Sequence, residues 1–134
     1  MTELALPRVG DVMKTDLVTL APGIEIVRAI SILMETGVSG ASVLDAEGEL
    51  VGVLSKRDCL KAALSASYYR QWGGTVADYM TPDPQTMEAD LDLVSACEVM
   101  IASSFRRFPV LRSGRFVGQV SRTDVLHSLS SQWR

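Results

Sequence analysis

The sequence predicts a mixed α/β (α+β) fold made of two β-α-β-β-α repeats, packed sheet to sheet with pseudo-two-fold symmetry. Three observations predict it. The first is a match of the chain with itself at a constant offset of 67 residues: Met13 with Met80, Thr19 with Thr86, Val27 with Val94, Ala29 with Ala96 and Val43 with Val110. The second is that the offset becomes 66 after a turn, pairing Gly48 with Gly114, Val51 with Val117, Gly52 with Gly118, Ser55 with Ser121 and Asp58 with Asp124. One residue has been lost where a deletion disturbs least, at the tip of a tight turn. The third is size, because a repeat of roughly 60 residues buries too little of its surface to be more than marginal alone. Repeat 1 (9–64), a linker (65–75) and repeat 2 (76–129) are therefore expected to form one folding unit.

The elements follow in order. A short helical turn is expected at Val9 to Met13. Leu17 to Leu20 reads as a strand, broken by Pro22-Gly23. Ile24, Ile26, Val27, Ile30, Leu33 and Met34 then recur near the helical period, and Gly37 stops that helix. Ala41 to Leu44 and Leu50 to Leu54 are apolar, β-branched runs joined by Asp45-Ala46-Glu47-Gly48, the pattern of a hairpin. A closing helix is expected from Lys56 to about Leu64. Ser65 to Thr75 reads as a connector, with Gly73-Gly74 supplying a bend and Tyr68, Tyr69 and Trp72 offering surface to pack. The second repeat runs through a turn at Val76 to Met80, a strand at Gln85 to Met87 and a helix from about Leu91 to Ser103. Strands near Phe108 to Leu111 and Phe116 to Val120 follow, then a helix from Arg122 to about Ser128.

Composition excludes several classes of function. The 134 residues carry 13 Lys+Arg and 16 Asp+Glu, a formal net charge of -3, without a long basic block. Neither nucleic acid nor an anionic membrane surface is an expected partner. The apolar runs are short and flanked by charge, as in Ile30 to Met34 between Arg28 and Glu35, well below the roughly 20 residues of a membrane span. Met1 to Val9 contains Glu3 and Pro7 and no apolar signal core, so a cytoplasmic location is expected. Cys59 and Cys97 lie apart with no zinc or disulfide spacing and read as core packers, and the lone His127 reads as a surface or capping residue. No metal site is indicated. There is no Ser/His/Asp order, nucleophile elbow, P-loop or catalytic carboxylate pair, so no catalytic residue is assigned and the chain is not expected to be an enzyme.

The residues that carry chemistry are two S-x-x-D strings. Ser55 with Asp58, and Ser121 with Asp124, have the spacing of a helix capping box with Asp in place of Glu, which stabilises a helix start by about 1 kcal/mol. Their context, L-V-G-V-L-S-K-R-D at Leu50 to Asp58 and F-V-G-Q-V-S-R-T-D at Phe116 to Asp124, each behind a Val-x-x-x-Met leader, resembles the CBS (cystathionine-β-synthase) domain. Two copies in tandem resemble the pair called a Bateman module, over about Val9 to Leu129. That resemblance implies clefts for adenosine-containing ligands such as AMP, ADP, ATP or S-adenosylmethionine, with no cofactor required. It implies that Asp58 and Asp124 accept the ribose hydroxyls, a charge-assisted bond stronger than a neutral one, with Ser55 and Ser121 close by. Arg106-Arg107 ahead of Pro109-Val110 resembles the family's basic pair that reaches toward phosphates; the first repeat has Ser39-Gly40 there and lacks the charges and the proline. Val18, Thr19 and Thr86, the last beside Met87, stand where the family contacts base or sugar. Lys56, Arg57 and Arg122 fall at helix N-termini, where backbone N–H groups also favour anions.

Each of these has a local explanation as well. Capping accounts for the Ser and Asp residues, a solvated surface for the cations, and strand propensity for the threonines. Met34, Val99, Met100 and Ile101 fall on helices and read as core or interface. Two functions are therefore weighed. One is a regulatory module that senses an adenine nucleotide, works as a homodimer and modulates a separate, unidentified protein. The other is a ligand-free structural module for dimerisation or interaction, consistent with a hydrophobic content of 47% and a mean hydropathy of +0.18.

Overall fold

The computed structural model describes residues 6–132. Residues 1–5, part of the stretch expected to carry no signal core, lie outside the described residues. In chain order the elements are α1 (Val9–Val12), β1 (Thr19–Leu20), α2 (Ile26–Thr36), β2 (Gly40–Leu44), β3 (Leu50–Ser55), α3 (Lys56–Tyr69) and α4 (Val76–Tyr79). They continue with β4 (Thr81–Pro82), β5 (Met87–Glu88), α5 (Leu93–Ala102), β6 (Arg107–Arg112), β7 (Arg115–Ser121) and α6 (Arg122–Gln132). Among the described residues no helix is long and apolar enough to cross a membrane.

The chain forms two compact units whose boundaries differ from those of the sequence repeats. One unit is Val18–Pro84; the other takes the chain up to Leu17 and again from Gln85 onward. Each leader helix has changed places: α1 belongs with the elements of repeat 2, and α4 with those of repeat 1.

In the unit Val18–Pro84 the strand order is β1-β2-β3-β4. β1 runs parallel to β2, with Thr19 opposite Ser42, and β2 pairs antiparallel with β3, with Gly40 opposite Ser55. Leu20, Ile26, Ala29, Leu33, Val43, Leu54 and Val76 close its core. α2 ends at Gly37, which takes the left-handed conformation at φ 75° and donates its N–H to the Leu33 carbonyl, as the sequence leads one to expect. α3, by contrast, runs on to Tyr69, five residues into the expected connector, and ends where Arg70 turns left-handed at φ 57°. Nothing in Ser65 to Tyr69 breaks a helix. Tyr68, Tyr69 and Trp72 stay exposed rather than packing within the chain.

The other unit carries the sheet β5-β6-β7, with β5 parallel to β6 and β6 antiparallel to β7. Its core holds Val9 from α1 with Leu93, Ala96, Met100, Phe108, Val110, Val120 and Val125. The shortened β6–β7 turn passes through Ser113 (φ 53°) and Gly114 (φ 79°), two consecutive left-handed residues that match the twist of the flanking strands.

β4 is an element the sequence does not announce, since two residues cannot show a period. It follows α4 and pairs antiparallel with β3, Thr81 opposite Val53 and Pro82 opposite Gly52. The second residue after α1 does the same in its own unit, where Lys14 pairs with Gln119 of β7 and both backbone hydrogen bonds form, at 2.8 and 3.0 Å.

Candidate functional site

In both units the candidate residues collect at one end of the sheet, where the last strand of the hairpin passes into a helix. At the β3–α3 junction Ser55 opposes Gly40, and Val18 and Thr19 lie on β1 and just before it, near the same end. At the β7–α6 junction Ser121 opposes Arg107, the Arg122 N–H donates to the Arg106 carbonyl at 3.2 Å, and the Arg122 guanidinium reaches the Ser103 carbonyl at 3.3 Å. Pro109 is buried within β6 opposite Gln119, and Thr86 is half-buried just before β5. Lys56 and Arg57 are exposed in the first turn of α3, and the side chains of Arg106 and Arg107 are exposed too.

The capping boxes form in full, with matching geometry. Asp58 Oδ2 accepts from the Ser55 N–H at 2.9 Å and from the Ser55 hydroxyl at 3.0 Å, while the Asp58 N–H donates to Ser55 Oγ at 3.2 Å. Asp124 and Ser121 repeat these bonds at 2.9, 3.0 and 3.2 Å. Local capping thus occupies one carboxylate oxygen of each aspartate. The other, Oδ1, faces a lysine at a distance longer than a hydrogen bond: Lys61 at 3.9 Å from Asp58 and Lys14 at 3.7 Å from Asp124. The carboxylate side chains are only 5% and 8% exposed, whereas the lysines are 64% and 70% exposed, so each ion pair has one mobile, solvated member and contributes little stability. A ligand hydroxyl could take Oδ1 by displacing a flexible lysine rather than by breaking the cap.

The two lysines are residues that motif reading missed. Lys61 stands one helical turn from Asp58 on α3 and was in reach of an i,i+3 scan. Lys14 comes from the far end of the chain, and the repeat offset places Thr81 at its equivalent position, so only Asp124 has a leader cation. Around it a cavity of about 540 Å³ is lined by Asp11, Lys14, Thr123, Asp124, His127 and Ser128, which gives the exposed His127 an acidic and basic neighbourhood. Among the described residues no group of three His, Cys, Asp or Glu converges as metal ligands would.

The same junctions explain the glycine two residues into each diagnostic string. A Cβ on Gly52 would stand 2.8 Å from the Thr81 carbonyl oxygen and 2.6 Å from Met80 Sδ; on Gly118 it would stand 2.7 Å from both the Lys14 carbonyl oxygen and Met13 Sδ. Glycine admits the leader backbone that carries Lys14 to its place. Burial, and after it the neighbouring Asp58 carboxylate, pushes the Cys59 thiol up from its ordinary value, so this cysteine packs rather than reacts.

Known proteins share the fold. The family model described as the CBS domain matches residues 9–65 and again 76–131. A crystal structure of CBSX2 in complex with AMP superimposes with a TM-score of 0.82 at 30% identity, over 96% of this chain and 99% of that one. The chloroplastic CBS domain-containing protein CBSX1 of Arabidopsis thaliana is 29% identical over 96% of this chain and 68% of its own length. The uncharacterized protein MJ1225 of Methanocaldococcus jannaschii is 29% identical over 93% of this chain, which spans 44% of that longer protein.

Proposed function

The chain belongs to the CBS domain family, with two domains in tandem, and from this we propose that it is a non-catalytic regulatory module that binds an adenine nucleotide and modulates a partner protein. The observation that carries the proposal is the state of the two S-x-x-D carboxylates. Each is buried, fixed in direction by its capping box, and keeps Oδ1 for a ligand against only a solvated lysine. A ribose hydroxyl donating to Oδ1 gains a charge-assisted bond in a desolvated setting. Arg106, Arg107 and Arg122 at the β7–α6 junction and Lys56 at the β3–α3 junction supply positive charge for phosphates, and Val18, Thr19 and Thr86 supply backbone and hydroxyl groups for base or sugar. The likeness to CBSX2, whose structure holds AMP, supports AMP as the first ligand to test, followed by ADP, ATP and S-adenosylmethionine.

The module works as a homodimer in this proposal. Exposed apolar residues recur at equivalent places in the two repeats: Val27 with Val94, Met34 with Ile101, and Leu60 with Leu126. Scattered exposed apolar residues need no explanation, but repetition of the same three across two diverged repeats points to a shared contact.

The test is thermal unfolding against each nucleotide. A ligand at 100 times its dissociation constant stabilises the fold by about 2.7 kcal/mol, a shift of several degrees for a chain of this size. Asp124→Asn keeps a capping oxygen and offers an amide in place of the second, so it should retain the fold and lose the shift if the Asp124 site is used; Asp58→Asn reports on the other. No shift with any nucleotide at millimolar concentration would leave the capping boxes as structure alone and favour the ligand-free interaction module.

A further inference from the structure

We propose that His127 is a specificity residue of the Asp124 site: its protonated imidazole, together with Lys14, holds the anionic group of a ligand whose ribose lies on Asp124. This site then binds a nucleotide more tightly at low pH, and the Asp58 site does not. The inference rests on the nucleotide reading above and adds where the anionic group goes and what tunes its affinity.

The cavity beside Asp124 lies within one compact unit, its lining supplied by α1, Lys14 and α6. At about 540 Å³ it has the size of a small-molecule site. Two carboxylates and two basic groups meet there. The carboxylates are already engaged: Asp11 Oδ2 accepts from the Arg8 N–H at 2.9 Å, and Asp124 Oδ2 from its capping box. Lys14 Nζ stands 3.7 Å from Asp124 Oδ1. A ribose hydroxyl that takes Oδ1 therefore releases an ammonium into the space that His127 lines, with the hydroxyls of Thr123 and Ser128 along the same wall. An anionic group of the same ligand finds both cations there. Among the described residues α5, whose one charged side chain is Glu98, and β7 add nothing to this lining. The arginines of the β7–α6 junction carry charge that does not change with pH, so a pH response isolates the imidazole.

The two repeats differ at this point. The offset of 66 places Lys61 at the position of His127, one helical turn after the capping aspartate in each repeat. Asp58 thus faces a permanent cation on its own helix. Asp124 has its permanent cation from Lys14, and the helix position next to it carries a switchable one, because imidazole is the side chain whose charge changes between about pH 5 and 8. One unit charge gained at contact distance in a solvated setting changes the affinity for an anion about fivefold.

Two single-site variants of the full chain test this: Asp58→Asn, which leaves the Asp124 site, and Asp124→Asn, which leaves the other. Dissociation constants of AMP and of adenosine are measured by calorimetry at about pH 6 and about pH 8. In Asp58→Asn, AMP should bind about fivefold more tightly at the lower pH, and adenosine equally at both. His127→Gln in that background should remove the dependence. His127→Lys should restore tight binding at both pH values, which a merely structural role of the ring would not do. In Asp124→Asn, AMP binding should not strengthen as pH falls. The ligand itself works in the opposite direction, since a phosphate monoester loses its second proton near about pH 6 and so favours cations more as pH rises. A pH dependence that survives His127→Gln, or none in Asp58→Asn, would overturn the role of His127 and leave the nucleotide reading standing. AMP bound at the Asp58 site alone would do the same. Binding of neither AMP nor adenosine, in the parent as well as the variants, would overturn both.

Discussion

Asp58 and Asp124 each give one oxygen to a capping box and turn the other toward a lysine, one turn along the same helix for Asp58 and from the far end of the chain for Asp124, so a substitution acts on the cap and on the second oxygen separately. Asp58→Ala or Asp124→Ala removes a complete capping box and should cost about 1 kcal/mol in a denaturation experiment, ligand or none. Asp92 shows the cap in its purely structural form. Its Oδ1 and Oδ2 accept from the Ser95 N–H and hydroxyl, both at 2.8 Å, and these bonds, the backbone one first, hold its carboxyl below the usual range. A carboxyl whose folded pKa is depressed contributes stability that is full above the unfolded value of about 3.9 and is lost as pH falls through the folded one. Asp92→Asn, itself a good cap, should therefore leave stability near pH 7 almost unchanged and flatten its decline below about pH 4, read from urea midpoints across pH. Buried Cys59, its thiol pushed up, should react with a thiol reagent at pH 8 only as the protein unfolds.

At the scale of elements, the leader and the last hairpin strand of each unit meet over a glycine. A methyl group there meets a carbonyl oxygen that cannot move without breaking the bridge, so Gly118→Ala should destabilise its unit by about 1–3 kcal/mol. Gly52→Ala should do the same against β4, and amide exchange should quicken at Lys14 or Thr81 respectively. Local pattern reading reached these elements unevenly. The hairpins, the Gly37 stop and the S-x-x-D caps depend on neighbours within a few residues, so they were legible in the sequence. α3 overran its expected end because Ser65 to Tyr69 only lacks strong apolar periodicity, which a solvent-facing helix does not need. β4 and the Lys14–Gln119 bridge were invisible, since a backbone pairing of one or two residues leaves no pattern in side chains.

Across the whole molecule, the sequence repeat and the compact unit are different objects. Val9 is fully buried in a core whose other buried residues run from Met87 onward, with Val12 and Met13 packed against it. Val9→Ala should cost about 2 kcal/mol, and the loss of amide protection should fall on β6 and β7 rather than on β2 and β3, although Val9 is the first residue of repeat 1. The mixed α/β class, the duplication, the order of the strands and helices other than β4 and the two capping motifs are legible along the chain, because all of these are written in short-range periods and in a constant offset. The fold in three dimensions settles which sheet each leader joins and brings Lys14 from the far end of the chain to Asp124. A four-residue helix carries one buried side chain, Val9 in α1 and Val76 in α4, and either would suit either core. The choice is made by backbone hydrogen bonds and close approach at a glycine, which are satisfied in three dimensions and leave no trace along the chain.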